Sequence, residues 1–169
     1  MKKLILTPNF IPPESHGKNL RTMLPQDDWD LLRTDCYQRA DYKCQICSGK
    51  GKKHPVEAHE EWEFNLEKRT QRLVHLLALC PNCHLVKHIG RAEKIGKFDK
   101  AFKHFKKVNK LKEGEAQALI SNLMNDQIQL MTMPFKIDIE VAKARLLEIY
   151  QSQEEVLTAF PFQKRRPKR

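Results

Sequence analysis

The sequence lacks any apolar run long enough to cross a membrane. At the N-terminus, residues 4–6 (Leu-Ile-Leu) follow two lysines before Thr7 and Pro8 interrupt the run, which is too short for the apolar region of a signal peptide. The chain also lacks an internal repeat, which argues against solenoid and propeller architectures. We therefore expect a cytoplasmic protein without a membrane partner, either nucleoid-associated or phage-encoded.

Acidic residues are too few to balance the basic ones. The chain carries 31 Lys and Arg against 21 Asp and Glu, a formal net charge of +10. Such a balance favours a polyanionic partner, and nucleic acid is the first candidate. The excess is concentrated in residues 91–112, where nine basic residues and two acidic ones give a local net charge of +7.

The length of 169 residues suits one domain with extensions. Four of the nine prolines fall in residues 1–26, which we predict to be an extended N-terminal arm. A helix is predicted over about residues 27–41, because Trp29, Leu32 and Cys36 recur on one helical face. Cys36 then acts as a partly buried small hydrophobe.

The middle of the chain predicts a strand, a connecting segment and a helix. Residues 56–64, VEAHEEWEF, have strand-like composition and could form one arm of a hairpin. We expect the second half of residues 65–79 to be helical or a tightly packed loop. A further helix is predicted to begin near Pro81 and to carry His84 and His88.

The C-terminal half is predicted to be helical and basic. Five apolar residues recur on one face of a helix over residues 97–111, namely Phe98, Ala101, Phe102, Phe105 and Val108. We expect this stripe to pack in the core rather than to stack on bases. Two further helices are predicted over about residues 115–131 and 138–150. The predicted organisation is thus a core over 27–92, a basic helical region over 93–150 and a basic tail over 151–169.

Four of the five cysteines form two Cys-x2-Cys pairs, which is the spacing of zinc ligands. The pairs Cys44/Cys47 and Cys80/Cys83 are separated by 32 residues. A tetrahedral zinc takes four thiolate or imidazole ligands, and each pair supplies two within reach. Because disulfides are rare in a reducing compartment, we predict one structural Zn²⁺ that clamps the base of the intervening segment.

A zinc with four sulfur ligands leaves the neighbouring histidines without a role. His84 and His88 are four residues apart, so on a helix they share one face with Cβ atoms roughly 5–6 Å apart. His59 lies on the predicted strand inside the segment that the zinc closes. A strand histidine packed against two helix histidines can hold one divalent cation, and these surplus ligands therefore predict a second metal site.

In combination these motifs resemble the HNH endonuclease family. The pattern comprises Cys-x2-Cys, a strand with a hydrophobic-x-x-His sequence and Leu-Cys-x2-Cys-His-x3-His, and it spans about residues 29–92. It is most similar to small stand-alone members whose strand reads Glu-x-His-Glu-x-Trp, here residues 57–62. The resemblance implies an α+β fold: a ββα-metal finger with a four-cysteine zinc clamp, an N-terminal arm and helix, and a helical C-terminal half.

The resemblance also implies hydrolysis of DNA phosphodiester bonds with a catalytic Mg²⁺, Mn²⁺ or another divalent ion. His84 and His88 would bind that ion, with His59 as a further ligand or, if His59 is the base, with Glu57 or Glu60 assisting the metal. Aligned on the preceding Val-Glu-Ala, His59 takes the metal position and Glu60 the position of the base. A shift of one residue instead makes His59 the base, which we favour because an unperturbed histidine titrates near neutral pH.

The chain departs from the family at the central asparagine. His75 holds the usual place of that residue, five positions before Cys80, and could donate a similar hydrogen bond in the catalytic site. Asn65 is the alternative if the loop is arranged differently. The departure affects rate and geometry more than the class of reaction.

Phosphate contacts are predicted in three basic segments, because Lys and Arg supply most such contacts. The segments are the loop 49–53, the helix 97–110 and the tail 164–169, with Lys50, Lys52, Lys53, Lys103, Lys106, Lys107, Arg165 and Arg166.

The expected partner is double-stranded DNA, together with a second copy of the chain or another nucleic-acid-processing protein. The alternatives are a non-catalytic zinc-knuckle module that binds nucleic acid and a regulatory or packaging protein. Neither needs His59, His84 and His88 together.

Overall fold

The computed structural model describes residues 4–127 and 134–159. Within them the chain forms seven helices and three strands, in an α+β arrangement that confirms the predicted class. The elements are α1 Leu20–Met23, α2 Gln26–Arg39, β1 Glu57–Asn65, β2 Thr70–Leu79, α3 Pro81–Lys87, α4 Ile89–Lys94, α5 Phe98–Asn109, α6 Glu113–Gln127, β3 Lys136–Asp138 and α7 Glu140–Ala159. Among these described elements no helix is both long enough and apolar enough to span a bilayer.

The centre of the molecule is an antiparallel hairpin of β1 and β2. His59 on β1 lies opposite Leu77 on β2, and a register shift follows Glu61. Strand β3 adds to the other edge of β2 in a parallel orientation, so that the sheet order is β1-β2-β3. Helix α3 begins two residues after β2 ends, which places a helix directly at the base of the hairpin.

The prediction of helix or packed loop for the second half of residues 65–79 is wrong. This segment lies in strand β2, where the burial alternates at first and then becomes continuous. Gln71, Leu73, Ala78 and Leu79 are buried, whereas Arg72, Val74 and His75 are exposed. Its leucines have high helix propensity. Pairing with β1 outweighs that propensity, because the hydrogen-bond ladder along the hairpin satisfies the backbone polar groups of both strands.

Two large apolar cores lie against the hairpin, beside a small cluster of Cys36, Val56 and Ala78. The larger core joins α3, α4, α5 and α6 around Phe105, Val86 and Leu79. The second core joins α2 and α7 around Leu32 and Leu73. Phe102 and Phe105 are buried in the first core, so the apolar stripe of α5 packs inside the protein as predicted.

The predicted helical boundaries hold for α2 and α5 but not for the last helix. Helix α7 covers Glu140–Ala159, so residues 151–159, predicted as the start of a tail, are helical. Arg145 on α7 joins this helix to α2 through hydrogen bonds of 3.0 and 2.5 Å to the Asp35 carboxylate. The predicted phosphate contacts Arg165 and Arg166 lie outside the described residues.

The N-terminal arm packs into the body of the protein. Leu6 and Leu20 have no exposed surface, and each belongs to one of the two cores. The backbone nitrogens of Ile5 and Leu6 donate to Asn109 Oδ1 on α5, at 2.8 and 3.1 Å. The arm is therefore held along its length, and it passes the base of the hairpin between these anchors.

Candidate functional site

The four paired cysteines form one cluster at the base of the hairpin. One ligand atom from each lies within 4.8 Å of the others, and Cys47 Sγ is 3.6 Å from Cys80 Sγ. Sulfurs bound tetrahedrally at about 2.3 Å from one zinc ion would lie about 3.8 Å apart, so this spacing suits zinc. Cys80 also caps the start of α3, where its sulfur accepts from the Cys83 backbone nitrogen at 3.5 Å.

The cysteine cluster favours a bound cation electrostatically. The pKa of Cys44 is far below its usual value because the thiols of Cys80 and Cys83 donate hydrogen bonds to its sulfur. The same interaction with Cys44 raises the pKa of Cys80 to about 11 and raises that of Cys83 further. Four thiolates this close repel one another, and a divalent ion removes that repulsion.

A residue from α5 contacts the cysteine cluster from outside. His104 Nε2 lies 3.1 Å from Cys83 Sγ, and burial lowers the pKa of His104. A neutral imidazole retains one N–H, which can donate to a zinc-bound thiolate and orient it. The two residues are 21 positions apart in the sequence, so no short-range spacing indicates that they are in contact.

The three predicted histidines meet beside the cysteine cluster. His59 comes from β1, His84 from α3, and His88 from the junction where α3 ends and α4 begins. One ring nitrogen of each lies within 4.8 Å of the others, and the Nε2 atoms of His84 and His88 are 3.1 Å apart. Because His88 has left the helical conformation, its ring can turn toward the other two.

Burial favours the uncharged form of two rings of the histidine group. Burial, with a smaller contribution from His88 and His84, lowers the pKa of His59 to about 2. Burial and the neighbouring His84 lower the pKa of His88 to about 4. Neutral imidazole is the form that binds a metal ion, and the three rings lie close enough together to hold one divalent cation.

Glu57 contacts the histidine group through the His84 ring. Its carboxylate contacts Nδ1 of His84, and this interaction lowers the pKa of Glu57. A carboxylate on Nδ1 keeps the ring proton there and leaves the Nε2 lone pair facing His88. Of the four residues predicted to bind the catalytic ion, the structure thus brings three together and places Glu57 against one of them.

Glu60 is half-buried, and both of its carboxylate oxygens accept hydrogen bonds. Oε1 accepts from the Leu20 backbone nitrogen at 2.9 Å, and Oε2 accepts from Trp62 Nε1 at 3.1 Å. Burial raises the pKa of Glu60 to about 7, against the opposite effect of these two donors. Glu60 lines a cavity of about 330 Å³ that also touches all three rings of the histidine group.

The two candidates for the central asparagine lie elsewhere. His75 is an exposed residue of β2 and lines a separate cavity of about 150 Å³ with Asp35 and Arg145. Asn65 closes the hairpin turn, where its Oδ1 accepts from the Lys68 backbone nitrogen at 2.8 Å. Neither side chain belongs to the histidine group.

Asn9, from the N-terminal arm, contacts His59 directly and was not predicted. Its Nδ2 lies 3.1 Å from His59 Nε2 and 3.2 Å from Glu61 Oε1. Its Oδ1 accepts from Lys87 Nζ at 3.2 Å. Because an ammonium group can only donate, the amide oxygen must face Lys87 and the amide nitrogen must face His59. His59 Nε2 is therefore the acceptor, and its lone pair becomes available to a proton or a cation when Asn9 releases it.

The buried side chain of Lys87 holds Asn9 and Glu61 in place through hydrogen bonds. It is 4% exposed, and its Nζ donates to both carboxylate oxygens of Glu61 at 2.8 and 3.1 Å. The backbone oxygen of Lys87 accepts from the Asn9 backbone nitrogen at 2.8 Å. Lysine is seldom buried without a partner, so the network of Asn9, Glu61 and Lys87 ties the arm and α3 to the strand that carries His59.

Replacing Lys87 with methionine should lower the free energy of unfolding by about 2 kcal/mol. Removing one partner of a buried ion pair costs about 3–5 kcal/mol, and the partial exposure of Glu61 relieves part of that cost. Urea unfolding of Lys87→Met measures the change. The matched control is Lys43→Met, which breaks the exposed pair with Asp41 and should cost less than about 1 kcal/mol. Equal changes in the free energy of unfolding for the two substitutions would contradict the conclusion that the network of Asn9, Glu61 and Lys87 stabilises the fold.

The loop 49–53, which carries three of the predicted lysines, lies beside the first cysteine pair, Cys44 and Cys47. Lys50, Lys52 and Lys53 are exposed on it. A Cβ atom at Gly51 would lie 2.1 Å from the His54 carbonyl oxygen and 2.7 Å from Pro81 Cδ. Only glycine fits there, and this close approach holds the loop against the first residue of α3.

The predicted lysines on α5 are not equivalent. Lys103 and Lys107 are exposed. Lys106 is half-buried, with its Nζ paired with Glu113 and 5.1 Å from the centre of the Phe102 ring. Lys103 and Lys107 therefore remain candidates for phosphate contact, whereas the charge of Lys106 is already engaged within the protein.

Comparison with known proteins finds no matching family model, no matching curated protein and no matching solved structure. The α+β class and the clustering of the four cysteines are the parts of the prediction that the structure confirms. Any functional assignment therefore rests on the residues of this chain and on the chemistry they can perform.

Proposed function

We propose that the protein is a metal-dependent endonuclease of the HNH type that hydrolyses DNA phosphodiester bonds. The observation that carries the proposal is the convergence of His59, His84 and His88 beside a separate cluster of four cysteines. The cysteines account for a structural Zn²⁺, so the histidines are free to hold a second, catalytic ion. The order of hairpin and helix at the site is consistent with a ββα-metal finger.

His59, His84 and His88 would hold the catalytic ion, and Glu57 orients His84. When bound, such an ion stabilises the negative charge that develops on the phosphate and on the leaving oxygen. Asn9 must release His59 Nε2 if that nitrogen is the ligand. Because burial lowers the pKa of His59 and of His88, these two rings offer their lone pairs to a cation without first losing a proton.

Two residues remain candidates for the base that removes a proton from water. His59 is one, through the Nε2 atom that Asn9 contacts. Glu60 is the other, because it follows His59 on β1 and lines the same cavity. The close approach of His59 to the other two rings supports a role as ligand and leaves Glu60 as the base. Leu20 and Trp62 then hold the Glu60 carboxylate in place, and its remaining lone pairs are available to a water molecule.

Incubation of the purified protein with supercoiled plasmid tests the proposal. We expect conversion to nicked or linear DNA with Mg²⁺ or Mn²⁺ and no conversion with EDTA. A His84→Ala/His88→Ala variant should lose at least about 100-fold in rate, because two ligands of the ion are gone.

The matched control is His54→Ala, which removes an exposed histidine outside the group and should keep the wild-type rate. Absence of cleavage in any divalent metal would contradict the proposal. If the wild type then still binds the plasmid, the non-catalytic binding module is favoured instead. Cleavage that persists in the double variant would place the catalytic site elsewhere.

A further inference from the structure

We propose that the N-terminal arm supplies a phosphate-binding wall of the active site, through Lys18 and Arg21. These residues would contact the DNA backbone next to the scissile bond. The inference rests on the proposed function of the histidine group, and it adds a substrate contact from a segment outside the hairpin and α3.

The first observation is the cavity over the histidine group. Its volume is about 330 Å³, and His59, His84 and His88 line it. Residues 15–19 and Arg21 of the arm line the same cavity. A substrate that occupies this cavity therefore lies beside both the three histidines and the arm.

Contacts on both sides of Lys18 hold the backbone of the arm at this point. Leu20 is fully buried, and its backbone nitrogen donates to Glu60 Oε1 at 2.9 Å. Asn19 caps α1 by accepting from the Thr22 backbone nitrogen at 3.1 Å. Gly17 has a φ of +80°, a conformation that favours glycine, and it turns the chain into this cap. Lys18 and Arg21 thus extend from a short segment that is fixed on both sides.

The charges around the cavity favour an anion. Lys18 and Arg21 are exposed, and neither forms an ion pair with another residue in the described ranges. Glu60 is the one acidic residue lining this cavity among the described residues, and both of its oxygens already accept hydrogen bonds. An arginine fork matches two phosphate oxygens, whereas a lysine acts as a point charge.

A second cavity indicates a polymeric anion rather than a single phosphate. It has a volume of about 390 Å³, and like the first it touches His16 and His88. Arg91 and Lys94 of α4 lie along it. Two cavities that share His88 of the histidine group are therefore both lined by basic residues, Lys18 and Arg21 in the first and Arg91 and Lys94 in the second. A nucleic-acid strand has phosphates on both sides of the reacting bond, so it could use both sets of charges.

A charge-matched pair of variants tests the contact. Fluorescence anisotropy would measure binding of a labelled 20-base-pair duplex to the full chain, without added Mg²⁺ or Mn²⁺, over a range of salt concentrations. Lys18→Ala/Arg21→Ala should raise Kd about tenfold and reduce the slope of log K against log salt by roughly 2. Lys68→Ala/Lys136→Ala removes the same charge at the turn end of the hairpin and should change Kd less than about twofold.

A third variant shows whether a loss of affinity comes from the removed charge or from a change in folding. Lys18→Arg/Arg21→Lys keeps both charges and should recover most of the affinity. Equal loss of affinity in the two alanine pairs, or no rescue by the exchanged pair, overturns the inference. If the wild type cleaves plasmid and the two alanine pairs bind alike, only the arm contact fails. If the wild type cleaves nothing in any metal, the proposed function fails and the inference falls with it.

Discussion

A Cys80→Ser variant is expected to lose one equivalent of zinc and most of the cooperative folding of the protein. A structural zinc site contributes on the order of 10–16 kcal/mol of apparent binding free energy. A whole domain is typically stable by only about 5–15 kcal/mol, so loss of the ion should leave the chain largely unfolded. Serine is a favourable N-cap residue, so the start of α3 keeps its cap and the effect reports the metal.

The fifth cysteine provides the matched control for this experiment. Cys36 is 2% exposed and packs with Val56 and Ala78, away from the cysteine cluster. Cys36→Ala removes one buried sulfur and should cost about 1 kcal/mol, with no change in zinc content. Elemental analysis and thermal unfolding measure both variants. A Cys80→Ser protein with wild-type zinc content and unchanged Tm would refute the structural-zinc assignment.

The loss of zinc should also disable the histidine group. Cys83 and His84 are consecutive residues of α3, and Cys80 begins that helix. A zinc ion held by these cysteines would therefore fix the helix that carries His84 and ends at His88. We expect Cys80→Ser to lose nuclease activity even though none of its substituted atoms belongs to the catalytic site.

Substitutions at His59 and Glu60 should separate the ligand from the base. If His59 is a ligand, His59→Ala should weaken the second cation at least about tenfold and reduce cleavage, with partial recovery at high metal concentration. Glu60→Gln should leave cation affinity unchanged and lower kcat by about 10²–10⁴, the usual contribution of a general base. Calorimetric titration of the cation and single-turnover cleavage measure the two effects.

The opposite pattern would reverse the two roles. A His59→Ala protein with normal cation affinity and lost kcat, beside an active Glu60→Gln protein, assigns the base to His59. The glutamine amide would have to face one of two donors, the Leu20 nitrogen or Trp62 Nε1. Circular dichroism and thermal unfolding of Glu60→Gln therefore accompany the kinetics, and Glu60→Asp provides a second variant that retains the charge.

Short-range spacing explains why part of the cysteine cluster and of the histidine group could be predicted. Cys80, Cys83, His84 and His88 lie within nine residues, and a helix that starts at Pro81 places them by its own geometry. The apolar stripe of α5 was predictable for the same reason, since helical periodicity depends only on neighbours in sequence. Strand β2 was not, because its leucines fit a helix as well as a strand. The hairpin partner that decides between them lies on the other side of a turn.

The contacts that complete the site join residues far apart in the chain. Asn9 meets His59 across 50 positions, and Lys87 meets Asn9 across 78. Leu20 meets Glu60 across 40 positions. No spacing rule covers such distances, because these approaches depend on how the arm packs against the hairpin and α3.

Residue types and spacing were therefore sufficient to indicate the cysteine cluster, the histidine group and the helices of the C-terminal half. Folding determined which residues surround the histidine group. It placed Glu57 on His84 and brought the arm across the cavity with Lys18 and Arg21. The physical reason is that ligand pairs on one helix depend on local backbone geometry, whereas the walls of a cavity depend on packing between distant segments.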